Sequence, residues 1–142
     1  MIEISNRSGV NCPESEINKL LTFAIKELGL SSECDLTLTF IDDKEMEELH
    51  IEWMDLPGST DVMSFPMDEL KPNDPTPGIL GDIVISPTYA AKNAAKAGHS
   101  TDHEIKILAA HGLLHLLGYD HQELSEEKIM FALQEDLVRR YE

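Results

Sequence analysis

The stretch IKILAAHGLLHLLGYDH, residues 105–121, decides how the rest of the chain is read. From Ile107 to Leu117 every side chain apart from two histidines is apolar or glycine, which is the character of a buried helix. His111 and His115 stand four residues apart, a rotation of about 40° on a helix, so both rings leave the same face one turn apart. Imidazoles entering a dry region need a partner for each ring nitrogen. Two arrangements supply one: core histidines bonded to backbone carbonyls, or a pair of ligands on one small cation. The residues that follow favour the cation. Gly118 suits a left-handed C-cap and lets the chain fold back three residues before His121. The result is His-x3-His-x2-Gly-x2-His, a helical pair with a returning third ligand. Three neutral imidazoles leave tetrahedral zinc one open position, the layout of a catalytic site, and no cysteine lies nearby to close it. All-imidazole ligation favours zinc, although copper or nickel would also bind.

The same spacing occurs in the metzincin peptidases, where the residue after the first histidine is the general-base glutamate. Here that residue is Gly112, and Met130 lies inside the last helix, where it cannot form the separate methionine turn of those enzymes. The metal scaffold therefore survives and the peptidase reading weakens. A mid-helix glycine costs about 1 kcal/mol relative to alanine, so a local reason is needed. Close packing against a strand is one. The other is the removal of negative charge, since a carboxylate about 5 Å from a phosphodiester is repelled by roughly 3 kcal/mol at an effective dielectric of about 20.

Outward from this helix the elements follow in order. IEISN alternates as a short strand, Pro13 opens a helix carrying Ile17, Leu20, Leu21, Ala24, Ile25 and Leu28, and Gly29 stops it. DLTLTFI is a second strand. Asp42 and Glu45 form a capping box for a helix to about Met54. DVMSFP is a strand ended by Pro66, and four prolines between 66 and 77 make the next segment a loop. GDIVIS is the fourth strand, Pro87 begins an alanine-rich helix that Gly98 closes, and Thr101 with Glu104 forms a second capping box at the head of the histidine helix. A final amphipathic helix runs from about Ser125 to Arg140. The expected fold is α/β (α+β), with a small mixed four-stranded sheet and about five to six helices.

The chain of 142 residues fits one domain, residues 1–142, and shows no repeat or linker. The two cysteines, Cys12 and Cys34, share no metal spacing, which suits a reducing compartment. The N-terminus has no basic region followed by an apolar run, and no stretch reaches the roughly 18 to 20 apolar residues of a membrane span. A cytoplasmic protein with no membrane partner is the expectation. A net charge of -16 argues against broad binding to nucleic acid, DNA included, which needs clustered Lys and Arg, and serves solubility.

The segment AAHGLLHLLGYDH resembles the hallmark H-G-x-L-H-L-x-G-Y-D-H of the YbeY family of rRNA maturation factors, matching each fixed position. TDVMSFP (60–66) and LGDIVIS (80–86) are similar to two further family stretches, T-D-V-L-S-F-P and L-G-D-I-x-I. Three ordered motifs, with matching length and element order, extend the resemblance over essentially the whole chain. It implies a metzincin-like fold with the sheet beside the metal helix. It also implies a zinc-dependent, single-strand-specific endoribonuclease that matures the 3′ end of small-subunit rRNA and serves ribosome quality control, with single-stranded rRNA and the small ribosomal subunit as partners. The ligands carried over are His111, His115 and His121. Asp120 matches the motif too, as a group orienting His121 or water, or as a plain turn carboxylate. Two positions depart from the pattern. Met54 stands where the family often has an arginine suited to clamping phosphate, and Ser59 where proline is usual. Lys92 and Lys96, an i, i+4 pair, either compensate or form a solvated face.

No catalytic base follows from these motifs; His103, Glu104 and Asp120 are merely near in sequence. Two other functions fit the same scaffold: a metal-dependent peptidase or other hydrolase, and a ribosome-binding module whose metal is structural.

Overall fold

A computed structural model describes residues 1–56, 58–119 and 124–141. The elements are β1 (Ile2–Asn6), α1 (Glu14–Glu27), β2 (Asp35–Phe40), α2 (Asp43–Met54), β3 (Val62–Pro66), β4 (Ile79–Ile85), α3 (Pro87–Ala97), α4 (Thr101–Leu116) and α5 (Leu124–Tyr141). The sheet has the order β1-β2-β4-β3. β1, β2 and β4 run parallel, and β3 pairs antiparallel with β4 at the edge. The mixed four-stranded sheet and five helices agree with the expected class.

Alternation in the strands sorts their side chains to two faces. Leu36, Leu38 and Phe40 of β2, with Leu80, Ile83 and Ile85 of β4, join the main core under α1, α4 and α5. Val84 turns to the opposite face, where Met46 of α2 packs with Ile41 and Met63. α4 is buried almost all round, through Ile105, Leu108, Ala109, Ala110, Leu113, Leu114 and Leu116, and touches α1, α3, α5, β3 and β4. A helix apolar on nearly every side belongs in such a position.

β4 carries one irregularity: Asp35 pairs with Ile79 but Leu36 with Gly81, so one residue bulges. Gly81 has φ 138°, and a Cβ there would overlap the carbonyl oxygen of Phe65. Only glycine lets β3 lie this close.

The caps follow the sequence with one exception. The Asp42 carboxylate accepts from the Glu45 backbone N–H at 2.8 Å, and Gly98 closes α3 in the left-handed region. At α4, however, Ser100 is the cap in place of Thr101: its hydroxyl accepts from the His103 N–H at 3.1 Å. Serine ranks above threonine as a cap, and this shifts the box out of register. Glu104 is thereby released to meet His99 Nε2 at 2.6 Å. Cys12 and Cys34 are free thiols, and burial raises the Cys12 pKa. Among the described residues no helix is long and apolar enough to cross a membrane.

Candidate metal centre

α4 reaches the sheet through Gly112. A Cβ at that position would stand 2.8 Å from Ile83 Cγ2 and 3.2 Å from Ser64 Oγ, inside ordinary contact distance. The Ser64 hydroxyl donates to the Gly112 carbonyl at 3.1 Å, which ties β3 to the helix at the same point. Of the two reasons the sequence leaves open for this glycine, packing against a strand is the one the structure supports. A glutamate side chain here would start into the sheet.

The same approach brings His111 and His115 to the rim of α4, both half-buried. Their rings meet at 76° with centroids 4.6 Å apart, and their Nε2 atoms lie 3.1 Å from each other. Two imidazole nitrogens on one tetrahedral zinc, each at about 2.0–2.1 Å, would be about 3.3 Å apart. The contact as it stands is a hydrogen bond between the rings, and its length is close to the spacing of two ligands on one ion. The other nitrogen of His111, Nδ1, lies 2.7 Å from Gln134 Oε1. An Nδ1–H donated to that oxygen fixes the tautomer with Nε2 bearing its lone pair, as a ligand requires.

Gln134 reaches the pair from α5, whose Met130, Leu137 and Val138 are buried. Arg140 anchors the end of α5 by donating to Glu27 of α1 at 2.6 Å. Gln134 is absent from the sequence reading, although a polar residue on the core-facing side of an otherwise apolar stripe was a signal for it.

His111 and His115 open on a cleft of about 620 Å³ between the edge strand β3 and the end of α2. Trp53, Met54, Asp61, Ser64 and Phe65 help to line it, with His50. His50 Nδ1 lies 3.0 Å from the Gly58 carbonyl oxygen; its donation there leaves Nε2 able to accept a proton. Asp61 is the one carboxylate among the described lining residues. Its Oδ1 accepts from the Val62 N–H at 2.8 Å and its Oδ2 from Asn93 at 3.1 Å.

The remaining sequence candidates fall as follows. Gly118 takes φ 93°, the expected left-handed turn, and its N–H donates to the His115 carbonyl at 3.0 Å. His121 and Asp120 lie outside the described residues. Among the described residues no group of three metal-binding side chains comes together. His103 and Glu104 sit at the far end of α4, with His99 and His103 in ring contact at 4.8 Å, and neither lines the cleft. Lys92 and Lys96 are exposed on α3 and do not line it either. Met54 does, with 57% of its surface exposed.

Comparison with known proteins agrees with this architecture. The chain is similar in fold to the solution structure of TM1509 from Thermotoga maritima, with a TM-score of 0.70 at 24% identity, covering 99% of this chain and 89% of that one. It is 49% identical over 146 residues to proteins named endoribonuclease YbeY from Mycobacterium sp. (strain KMS) and Mycolicibacterium gilvum, covering 99% of this chain and 82% of each relative. The family model described as Endoribonuclease YbeY matches residues 3–142, and the chain belongs to that family.

Proposed function

We propose that this member of the endoribonuclease YbeY family is a zinc-dependent, single-strand-specific endoribonuclease that matures the 3′ end of small-subunit rRNA. Its place of work is the cytoplasm, on the small ribosomal subunit. The observation that carries this reading is the histidine pair lining an open cleft, with Nε2 atoms 3.1 Å apart and one ring held by Gln134. His111 and His115 would hold the ion, with His121 as the third ligand that the motif supplies. The chemistry such an ion brings is positive charge against phosphate oxygens, together with activation of water or stabilisation of a leaving oxygen.

The chain's own groups do the rest. Gln134 orients His111. His50, with Nδ1 committed to the Gly58 carbonyl, is the imidazole in the cleft able to take and return a proton at Nε2. Asp61 accepts from the Val62 N–H and the Asn93 amide, which holds β3 to α3. The peptidase alternative is not favoured, because the position of its glutamate faces Ile83 and Ser64.

The test joins zinc analysis to RNA cleavage. Purified protein should contain one zinc and cut single-stranded RNA, and a chelator should abolish the cutting. His115→Ala and His121→Ala should each lose both zinc and activity. Cells lacking the protein should accumulate small-subunit rRNA with unprocessed 3′ ends. Normal ends, together with RNA left intact by zinc-loaded protein, would overturn the proposal.

A further inference from the structure

Trp53 and Met54 end α2 with 61% and 57% of their surface exposed, beside the histidine pair in the same cleft. Exposed apolar side chains scattered singly need no explanation. These are different, because they are adjacent, share a concave site and include the only tryptophan of the chain. The indole meets Phe65 of β3 edge-to-face, with centroids 5.7 Å apart at 71°. That contact braces the ring and engages at most one of its faces, and the exposure of Trp53 shows how much surface is left to solvent.

What would cover it follows from the cleft's charge. Among the described lining residues there is no Lys or Arg, one carboxylate is present, and the whole chain carries -16. A grip on phosphates is therefore poorly served, whereas stacking on a π-face is indifferent to net charge and open to any base. Bases in a duplex have both faces occupied by their neighbours; an unpaired base does not. We infer that Trp53, braced by Phe65, is a stacking platform for one unpaired base of the RNA strand whose backbone lies at the histidine pair. The inference rests on the ribonuclease reading above and adds the residue that binds the strand. It gives the single-strand preference a physical origin: a helix cannot offer Trp53 a base without being opened.

The lone tryptophan makes the test residue-specific. Zinc-loaded protein is titrated by rapid mixing, read before cutting, with a short oligouridylate, with an abasic ribose-phosphate oligomer of the same length, and with a duplex. Trp53 emission should be quenched by the oligouridylate alone. In zinc-loaded protein Trp53→Ala should raise KM roughly 5- to 150-fold, the range for loss of one base stack, with kcat changed less than about twofold. Trp53→Phe should restore most of the affinity. Equal quenching by the abasic oligomer, no quenching at all, or an unchanged KM in Trp53→Ala would each overturn the inference. A second copy of the chain covering the patch would do the same, and would show as a dimer in sedimentation. Because binding is read before cutting, failure of the stack is distinguishable from failure of RNA cleavage by the zinc-loaded wild type, which would overturn the ribonuclease reading instead.

Discussion

Replacing Gly112 by alanine should destabilise this protein, the reverse of its effect in an exposed helix. The favourable side is known: alanine in a helix interior is better than glycine by about 1 kcal/mol. The opposing side is set by the sheet. The new methyl would stand 2.8 Å from Ile83 Cγ2, 3.2 Å from Ile83 Cδ1 and 3.2 Å from Ser64 Oγ. Carbon atoms rest at about 3.5–4.0 Å, so the closest contact is short by roughly 1 Å. Ile83 is wholly buried on the central strand β4, and a β-branched side chain has little freedom at χ1 to step aside. Helix and strand must part instead, and overpacking of this kind costs about 1–3 kcal/mol. The balance is a loss of about 1 kcal/mol, or a fall in Tm of roughly 3 °C for a chain of this size.

Urea and thermal unfolding would measure it, and a double-mutant cycle would identify the cause. Ile83→Ala removes both isoleucine atoms and leaves only Ser64 Oγ at 3.2 Å, so on that background Gly112→Ala should turn stabilising, by up to about 1 kcal/mol. Ile83→Val removes Cδ1 but keeps Cγ2, the nearer atom, and should leave the sign unchanged. Because His111 adjoins the displaced position, the wild-type-background variant should also bind zinc more weakly. Stabilisation by Gly112→Ala in the wild-type background would refute the packing account of this glycine, and with it the claim that position 112 faces the sheet.

Gln134→Leu keeps the bulk of the side chain but removes the acceptor 2.7 Å from His111 Nδ1, and should weaken zinc binding by roughly 10- to 100-fold in a chelator competition. His50→Gln should lower kcat by roughly 100- to 10,000-fold with zinc content and KM nearly unchanged, the signature of a lost proton-transfer group. A parallel loss of zinc would make it a structural residue instead.

The parts of this molecule visible in the sequence are those fixed by neighbours along the chain. His111 and His115 share a face because four residues is one helical turn, whatever surrounds them. Leu36, Leu38 and Phe40 point one way because a strand alternates. What the sequence hides arrives from a distance. Gln134 lies 23 residues from the ring it orients, and which face of α5 meets α4 depends on packing that includes the Arg140–Glu27 contact. His50, Trp53 and Phe65 enter the cleft only because β3 turns antiparallel and takes the sheet edge, an outcome of strand pairing that no local pattern encodes. The Ser100 cap is a different case. Ser100 and Thr101 stand side by side as good caps, and serine's higher rank is the local signal for the first.

Met54 lines the cleft with an uncharged side chain, and Gly112 packs against Ile83 and Ser64 beside it. Asp61 is the one carboxylate among the described lining residues, and the ion held by His111 and His115 would be the positive charge of the cleft. Such a site does not discriminate well by charge pairing. It discriminates by what can lie flat on Trp53 while bringing an anionic backbone to the ion, and an unpaired nucleotide does both where a peptide bond, uncharged and unstacked, does neither.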